Sequence, residues 1–147
     1  MEQSKNKGRI LSLLTYLYRY TDEENPSSTN ELIKELSARG YAANRKTVKD
    51  DIDVLVSAGF DIITVKSSGN SYFLGERLFE LPELKLLIDA VSSSKFISRN
   101  KSMELIEKIS GLASENQSKY LVETLYTTER IKSDNGRIYY IVDCLAE

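Results

Sequence analysis

The spacing of apolar residues predicts helices in the first forty positions. Residues 5–20 carry apolar side chains at helical intervals. The polar stretch "TDEENPSS" around Pro26 predicts a loop. Ser28 and Glu31 then have the spacing of a capping box, in which a hydroxyl and a carboxylate satisfy free N–H groups at a helix start. Gly40 provides a stop, because glycine tolerates positive φ. We therefore predict a first helix over residues 5–20 and a second that begins at Ser28.

A third helix is predicted after only three further residues. Asn44 offers an N-cap, and Gly59 ends the segment. The predicted buried face has i, i+4, i+7, i+8 spacing and consists of Val48, Ile52, Leu55 and Val56. The turn between the second and third predicted helices is short, and this spacing predicts a helix-turn-helix motif.

The pattern then changes to that of β-structure. Residues 62–65 are β-branched, "SSGNS" has the composition of a turn, and "YFL" resumes the strand pattern. These features predict a hairpin with its tip at Gly69 and Asn70. Three helices followed by a hairpin is the order of a winged helix. We therefore predict a mainly α fold with a small β-hairpin, in which residues 1–76 form a winged helix-turn-helix domain.

Residues 77–147 return to helical periodicity. Pro82 lies in the first turn of a predicted helix. The apolar faces of this helix and the next consist of Leu84, Leu87, Ile88 and Val91, and of Met103, Ile106, Ile109 and Leu112. A further helix is predicted over residues 118–125, and an irregular or extended stretch over 127–136. We expect a helical linker or dimerisation region. The open alternative is that these apolar faces pack against each other and form a core of their own.

The last predicted helix begins near Gly136, and its apolar stripe reaches Glu147 unfinished. It either packs on another chain or leads into a C-terminal sensor domain that this chain does not include. We favour the second interpretation.

Composition disfavours an enzyme, a metalloprotein and a membrane protein. The chain of 147 residues has no histidine, one cysteine and seven scattered glycines, which argues against zinc sites, histidine-based catalysis and phosphate loops. No apolar run approaches the roughly 18 residues of a membrane span. We expect a cytoplasmic protein without catalytic residues, cofactor or metal.

Charges are segregated along the third predicted helix. Arg45, Lys46 and Lys49 lie near its start, and carboxylates such as Asp50 and Asp53 follow. Cations at a helix start oppose the helix dipole, but they suit a recognition helix whose first residues enter the major groove. The alternative is a solvated helix with pairs Lys46–Asp50 and Lys49–Asp53. Asp51 is a candidate partner for a cation of a neighbouring helix.

Further DNA contacts are expected around this helix. Residues 66–70, here called the wing, offer Lys66, Ser68 and Asn70 to a phosphate or the minor groove, unless they form an ordinary turn. Arg9 is expected to touch backbone phosphate, and Thr29 to present its backbone N–H to one, although terminal cations are usually only solvated. Residues 5–77 hold eleven Lys/Arg and ten Asp/Glu, so binding depends on local arrangement.

The segments "RKTVKDDIDVL" and "AGFDI", followed by the "GNSYFL" hairpin, resemble the N-terminal winged helix of bacterial WYL-domain transcriptional regulators. "FELPELKLLIDAVSSSKFIS" and "KSMELIEKISGLAS" are similar to the helical linker of that family. The resemblance implies binding to double-stranded DNA as a homodimer, with contacts at Asn44, Arg45, Lys46, Thr47 and Lys49 and at the wing. The ligand-sensing domain that names the family would follow Glu147, so an effector is expected only through that domain.

Together these features predict a sequence-specific DNA-binding transcriptional regulator, or its N-terminal part. The alternative is a winged-helix adaptor that binds proteins and not DNA, which the near-neutral charge also fits.

Overall fold

The computed structural model describes residues 2–132, and the side chains of residues 2–125. Within this part the chain is mainly helical, with a small antiparallel sheet, which confirms the predicted mainly α fold with a small β-hairpin. The chain divides into two compact units between Arg77 and Leu78, whereas the sequence suggested a boundary one residue earlier. In the described helices, none combines the length and apolar character that crossing a membrane requires.

The first unit contains three helices and three strands in the order that is typical of a winged helix. They are α1 (Glu2–Tyr20), β1 (Ser27–Ser28), α2 (Thr29–Ala38), α3 (Arg45–Ser57), β2 (Ile62–Lys66) and β3 (Asn70–Leu74). Both predicted N-caps are confirmed, but the capping box predicted at Ser28 is only half formed, because among the described contacts the Glu31 carboxylate does not accept from the Ser28 N–H. Ser28 Oγ accepts a hydrogen bond from the Glu31 N–H at 3.2 Å, and Asn44 Oδ1 accepts one from the Thr47 N–H at 2.9 Å.

The predicted helix stops are confirmed as well. Gly40 has φ +91° and Gly59 has φ +106°, in the left-handed region that favours glycine. These two glycines end the segments of α2 and α3 and turn the chain toward the next element.

The sheet has the strand order β1-β3-β2, and all its pairs are antiparallel. Lys66 pairs with Asn70, so the hairpin loop comprises residues 67–69, and the prediction of a tip at Gly69 and Asn70 is wrong by one position. Ser27 pairs with Tyr72, although this stretch was predicted as a loop. So short a strand is defined by its backbone hydrogen bonds alone, which no side-chain pattern reveals.

One apolar core holds the first unit together. Its buried members are Leu13, Leu17, Leu32, Leu36, Val48, Ile52, Leu55, Ile62, Tyr72 and Leu74. Val56 was predicted to belong to this core but is 47% exposed. The buried stripe of α3 includes Asp51, three residues after Val48, and this rotation of the helix carries Val56 out of the core.

The second unit consists of α4 (Leu81–Ser93), α5 (Arg99–Ser110) and α6 (Glu115–Lys132). Pro82 lies in the first turn of α4, as predicted. The apolar faces pack into a separate core of Leu84, Ile88, Ile106, Ala113 and Leu121. The structure therefore has the alternative arrangement, in which these helices form a core of their own.

Three sequence predictions in the second unit are wrong in detail. Met103 and Leu87 were assigned to the apolar faces but are 57% and 37% exposed, because they lie at the edges of the buried stripes. α6 continues to Lys132 through residues that were predicted to be irregular or extended. The predicted last helix lies outside the described residues.

Candidate nucleic-acid interface

The N-terminal end of α3 presents three cations to solvent. Arg45 and Lys46 are the first two residues of the helix, and Lys49 follows one turn after Arg45. All three side chains are exposed. Within the described part of the chain, no ion pair or hydrogen bond engages any of their charged groups. Their charge is therefore available to an anionic partner.

These cations line a cleft of about 280 Å³, here called the basic cleft. Its lining residues are Thr29, Arg45, Lys46, Lys49, Asn70 and Tyr72. The cleft thus joins the start of α2, the first turns of α3 and the first residues of β3. Thr29 Oγ1 donates a hydrogen bond to the Asn70 carbonyl oxygen at 3.3 Å, which ties the start of α2 to the wing.

The structure brings together five of the ten residues that the sequence nominated for DNA contact. Thr29, Arg45, Lys46, Lys49 and Asn70 meet in the basic cleft although up to 41 positions separate them along the chain. Three backbone features make this possible: the short turn between α2 and α3, the pairing of β1 with β3, and the register of the hairpin.

The other five nominated residues do not line the cleft. Asn44 and Thr47 form the cap of α3, in which Thr47 Oγ1 also donates to Asn44 Oδ1 at 3.0 Å. Lys66 and Ser68 are exposed at the end of the hairpin. Arg9 lies on α1, and its contacts differ from those expected.

Arg9 forms an ion pair with Asp51 that joins α1 to α3. Arg9 Nε donates to Asp51 Oδ2 at 2.6 Å, and Nη2 donates to Oδ1 at 2.9 Å. The remaining guanidinium nitrogen, Nη1, donates to Asn6 Oδ1 at 2.9 Å. The hydrogen bond to Asp51 raises the pKa of Arg9 above its ordinary value. The prediction that Asp51 pairs with a cation of a neighbouring helix is confirmed. Arg9 holds α3 against α1 through this pair.

The charge pairs that would make α3 an ordinary solvated helix are not formed. In the region that the structure describes, Lys46 and Asp50 make no ion pair, and neither do Lys49 and Asp53. The i,i+4 pairs that do form lie on other helices, such as Lys108 with Glu104 at 3.4 Å. The surface charges of α3 are therefore not accounted for by helix stabilisation.

Sequence reasoning missed one residue of the cleft, Tyr72. Its side chain is 3% exposed and belongs to the core, yet it also lines the cleft. Tyr72 lies two residues after Asn70 on β3, and alternate residues of a strand share a face. This spacing is the signal from which Tyr72 was predictable. Among the described residues, no three carboxylate or cysteine side chains come together as they would around a metal ion.

No protein-family model, curated protein or solved structure matches the chain.

Proposed function

We propose that the chain is a sequence-specific DNA-binding transcriptional regulator, or the N-terminal part of one, that binds double-stranded DNA as a homodimer in the bacterial cytoplasm. The first turns of α3 enter the major groove, and the wing follows the DNA backbone or the minor groove. WYL-domain regulators are the family whose mode of action this proposal adopts. An effector would act through a C-terminal domain outside this chain.

The observation that carries the proposal is the basic cleft. Three cations that make no ion pair with any described residue surround it, and Asn70 adds a side-chain amide. Phosphate oxygens accept hydrogen bonds from the three cations and from the Asn70 amide, and guanine edges accept them from arginine and lysine. The cations lie at the start of α3, which is the part of a recognition helix that reaches the bases.

The Arg9–Asp51 ion pair supports the same proposal. A recognition helix has to keep a fixed orientation on the body of its domain, because base contacts depend on its angle in the groove. The two-point bond from Arg9 fixes α3 against α1 on the side opposite the solvent. The same bond neutralises Asp51, one of the three carboxylates of α3.

The test is a salt titration with a pair of matched double variants. The full chain and the Arg45→Ala/Lys49→Ala variant are titrated with the 30-base-pair duplex most enriched from a randomised library, at about 50 to 200 mM salt. The full chain should lose affinity linearly in log salt. The variant should bind at least 100-fold more weakly. Its slope of log affinity against log salt should be smaller in magnitude by about two, since each cation neutralises about one phosphate.

The control removes the same charge elsewhere. Arg19 and Lys34 are exposed cations of the first unit that do not line the cleft. An Arg19→Ala/Lys34→Ala variant should retain the slope and affinity of the parent within about threefold, because neither cation lines the cleft and salt screens exposed charges that do not contact the DNA directly. Equal losses in both variants would show that only net charge matters and would contradict the groove assignment.

A winged-helix adaptor is the second candidate, and the charge balance favours it. Residues 5–77 hold eleven cations and ten anions, so the first unit has almost no net attraction for a polyanion. An adaptor would bind no duplex at 50 mM salt, and the library would yield no enriched sequence. The same titration therefore separates the two candidates.

A further inference from the structure

We propose that Asp50 determines sequence specificity by accepting a hydrogen bond from the N4 amino group of a cytosine in the major groove. This inference rests on the proposed function, because it concerns the base pair that α3 reads. It gives a role to a carboxylate whose presence beside the cations of the basic cleft is otherwise unexplained.

Asp50 makes no contact on which the described part of the fold depends. Its side chain is exposed, and within the described residues it makes neither a hydrogen bond nor an ion pair. The next residue, Asp51, is the contrasting case, because it is 3% exposed and bonded twice to Arg9. Helix stability does not explain Asp50 either, since its predicted partner Lys46 makes no ion pair with it.

The position of Asp50 on α3 directs it toward the groove. Successive helical residues are rotated by about 100°, so Asp50 lies about 160° from both Val48 and Ile52. Those two residues are buried in the core, which puts Asp50 on the opposite side of the helix. It also lies one turn after Lys46, in the first half of α3, on the side that a recognition helix turns to the bases.

The chemistry of a carboxylate selects one base. An ionised carboxylate only accepts hydrogen bonds, and it is repelled by the acceptors that guanine and thymine present in the major groove. Cytosine presents the N4 donor, whereas adenine sets an acceptor, N7, beside its N6 donor. A carboxylate also weakens binding to every sequence that offers it no donor, because it is then unpaired near phosphates. Asp50 therefore lowers non-specific affinity and raises discrimination.

The experiment is a binding-site selection from a randomised duplex library with the full chain and three variants. The parent should enrich a motif with one cytosine preferred at least about fivefold over other bases. Asp50→Ala should keep the motif but lose that preference. Asp50→Asn should shift the position to adenine, because an asparagine amide pairs with adenine N6 and N7. Both variants should bind random duplex more tightly than the parent.

Asp53→Asn is the matched control. Asp53 is an exposed carboxylate on the same helix, about 4.5 Å further along the axis at 1.5 Å per residue. Its removal changes the net charge equally and should leave the cytosine in the motif. A motif unchanged in Asp50→Ala would overturn this inference while the proposed function stands. Failure of the parent to enrich any sequence would overturn both.

Discussion

At the scale of single residues, the ion pair between Arg9 and Asp51 has a large expected effect on stability. The Arg9 side chain is 15% exposed and the Asp51 side chain 5%, so both charges are largely removed from water. Removing one partner of such a pair leaves an uncompensated charge, which costs about 3–5 kcal/mol. Replacing both partners removes the desolvation cost as well, and it is often nearly neutral.

We therefore expect Asp51→Ala to lower the free energy of unfolding by about 3 kcal/mol, at the low end of that range because Arg9 keeps some contact with solvent. The double variant Arg9→Met/Asp51→Leu should recover at least half of this loss. Urea unfolding followed by circular dichroism measures both. Asp53→Ala serves as the control and should change stability by less than about 0.5 kcal/mol. A double variant that loses as much as the sum of its single variants would show that the two residues do not interact.

The same pair shows how far single residues were predictable. Val48, Ile52 and Leu55 were placed correctly in the core from their spacing. Val56 was not, because hydropathy alone does not reveal that a carboxylate, Asp51, occupies the other edge of the buried stripe. A buried acid can be suspected from its neighbours, but its partner, 42 positions earlier in the chain, is fixed only by the packing of α1 on α3.

At the scale of elements, the stop at Gly40 sets the turn between α2 and α3. Gly40 has φ +91° and nothing within 4 Å of the position that a Cβ would occupy. The cost of Gly40→Ala is therefore purely conformational, about 1–2 kcal/mol. Gly69, in the hairpin loop, has equally open surroundings but lacks a positive φ in the left-handed region, so Gly69→Ala should cost less than about 0.5 kcal/mol. Thermal unfolding of both variants measures the difference, and equal melting temperatures would contradict it.

Elements were predictable where a side chain marks them. Caps and stops follow from local chemistry, so Ser28, Asn44, Gly40 and Gly59 fixed the ends of α2 and α3. β1 was missed because two residues carry no alternation of apolar and polar positions. The basic cleft was predicted only as separate residues, since its assembly requires the pairing of β1 with β3, which is a long-range feature.

At the scale of the whole molecule, the chain carries two separate cores. Among the described residues, the apolar core of the first unit has ten buried members from α1–α3 and the sheet, and that of the second has five from α4–α6 and the turn before α6. All residues of the basic cleft belong to the first unit. Loosening the second core should therefore leave the structure of the cleft intact.

Leu84→Ala and Leu32→Ala test this division. Leu84 is 1% exposed in the second core, and Leu32 is 0% exposed in the first. Each change should cost about 2–5 kcal/mol in its own unit by lost burial and the cavity left behind. Hydrogen exchange measured by mass spectrometry follows the two units separately, because each backbone amide reports the opening of its own structure. Leu84→Ala should speed exchange in α4 and α5 by about 100-fold and leave α3 unchanged, and Leu32→Ala should do the reverse. If each variant instead speeds exchange equally in α3 and α4, the two cores unfold as one cooperative unit, and a change in the second unit reaches the basic cleft through global unfolding.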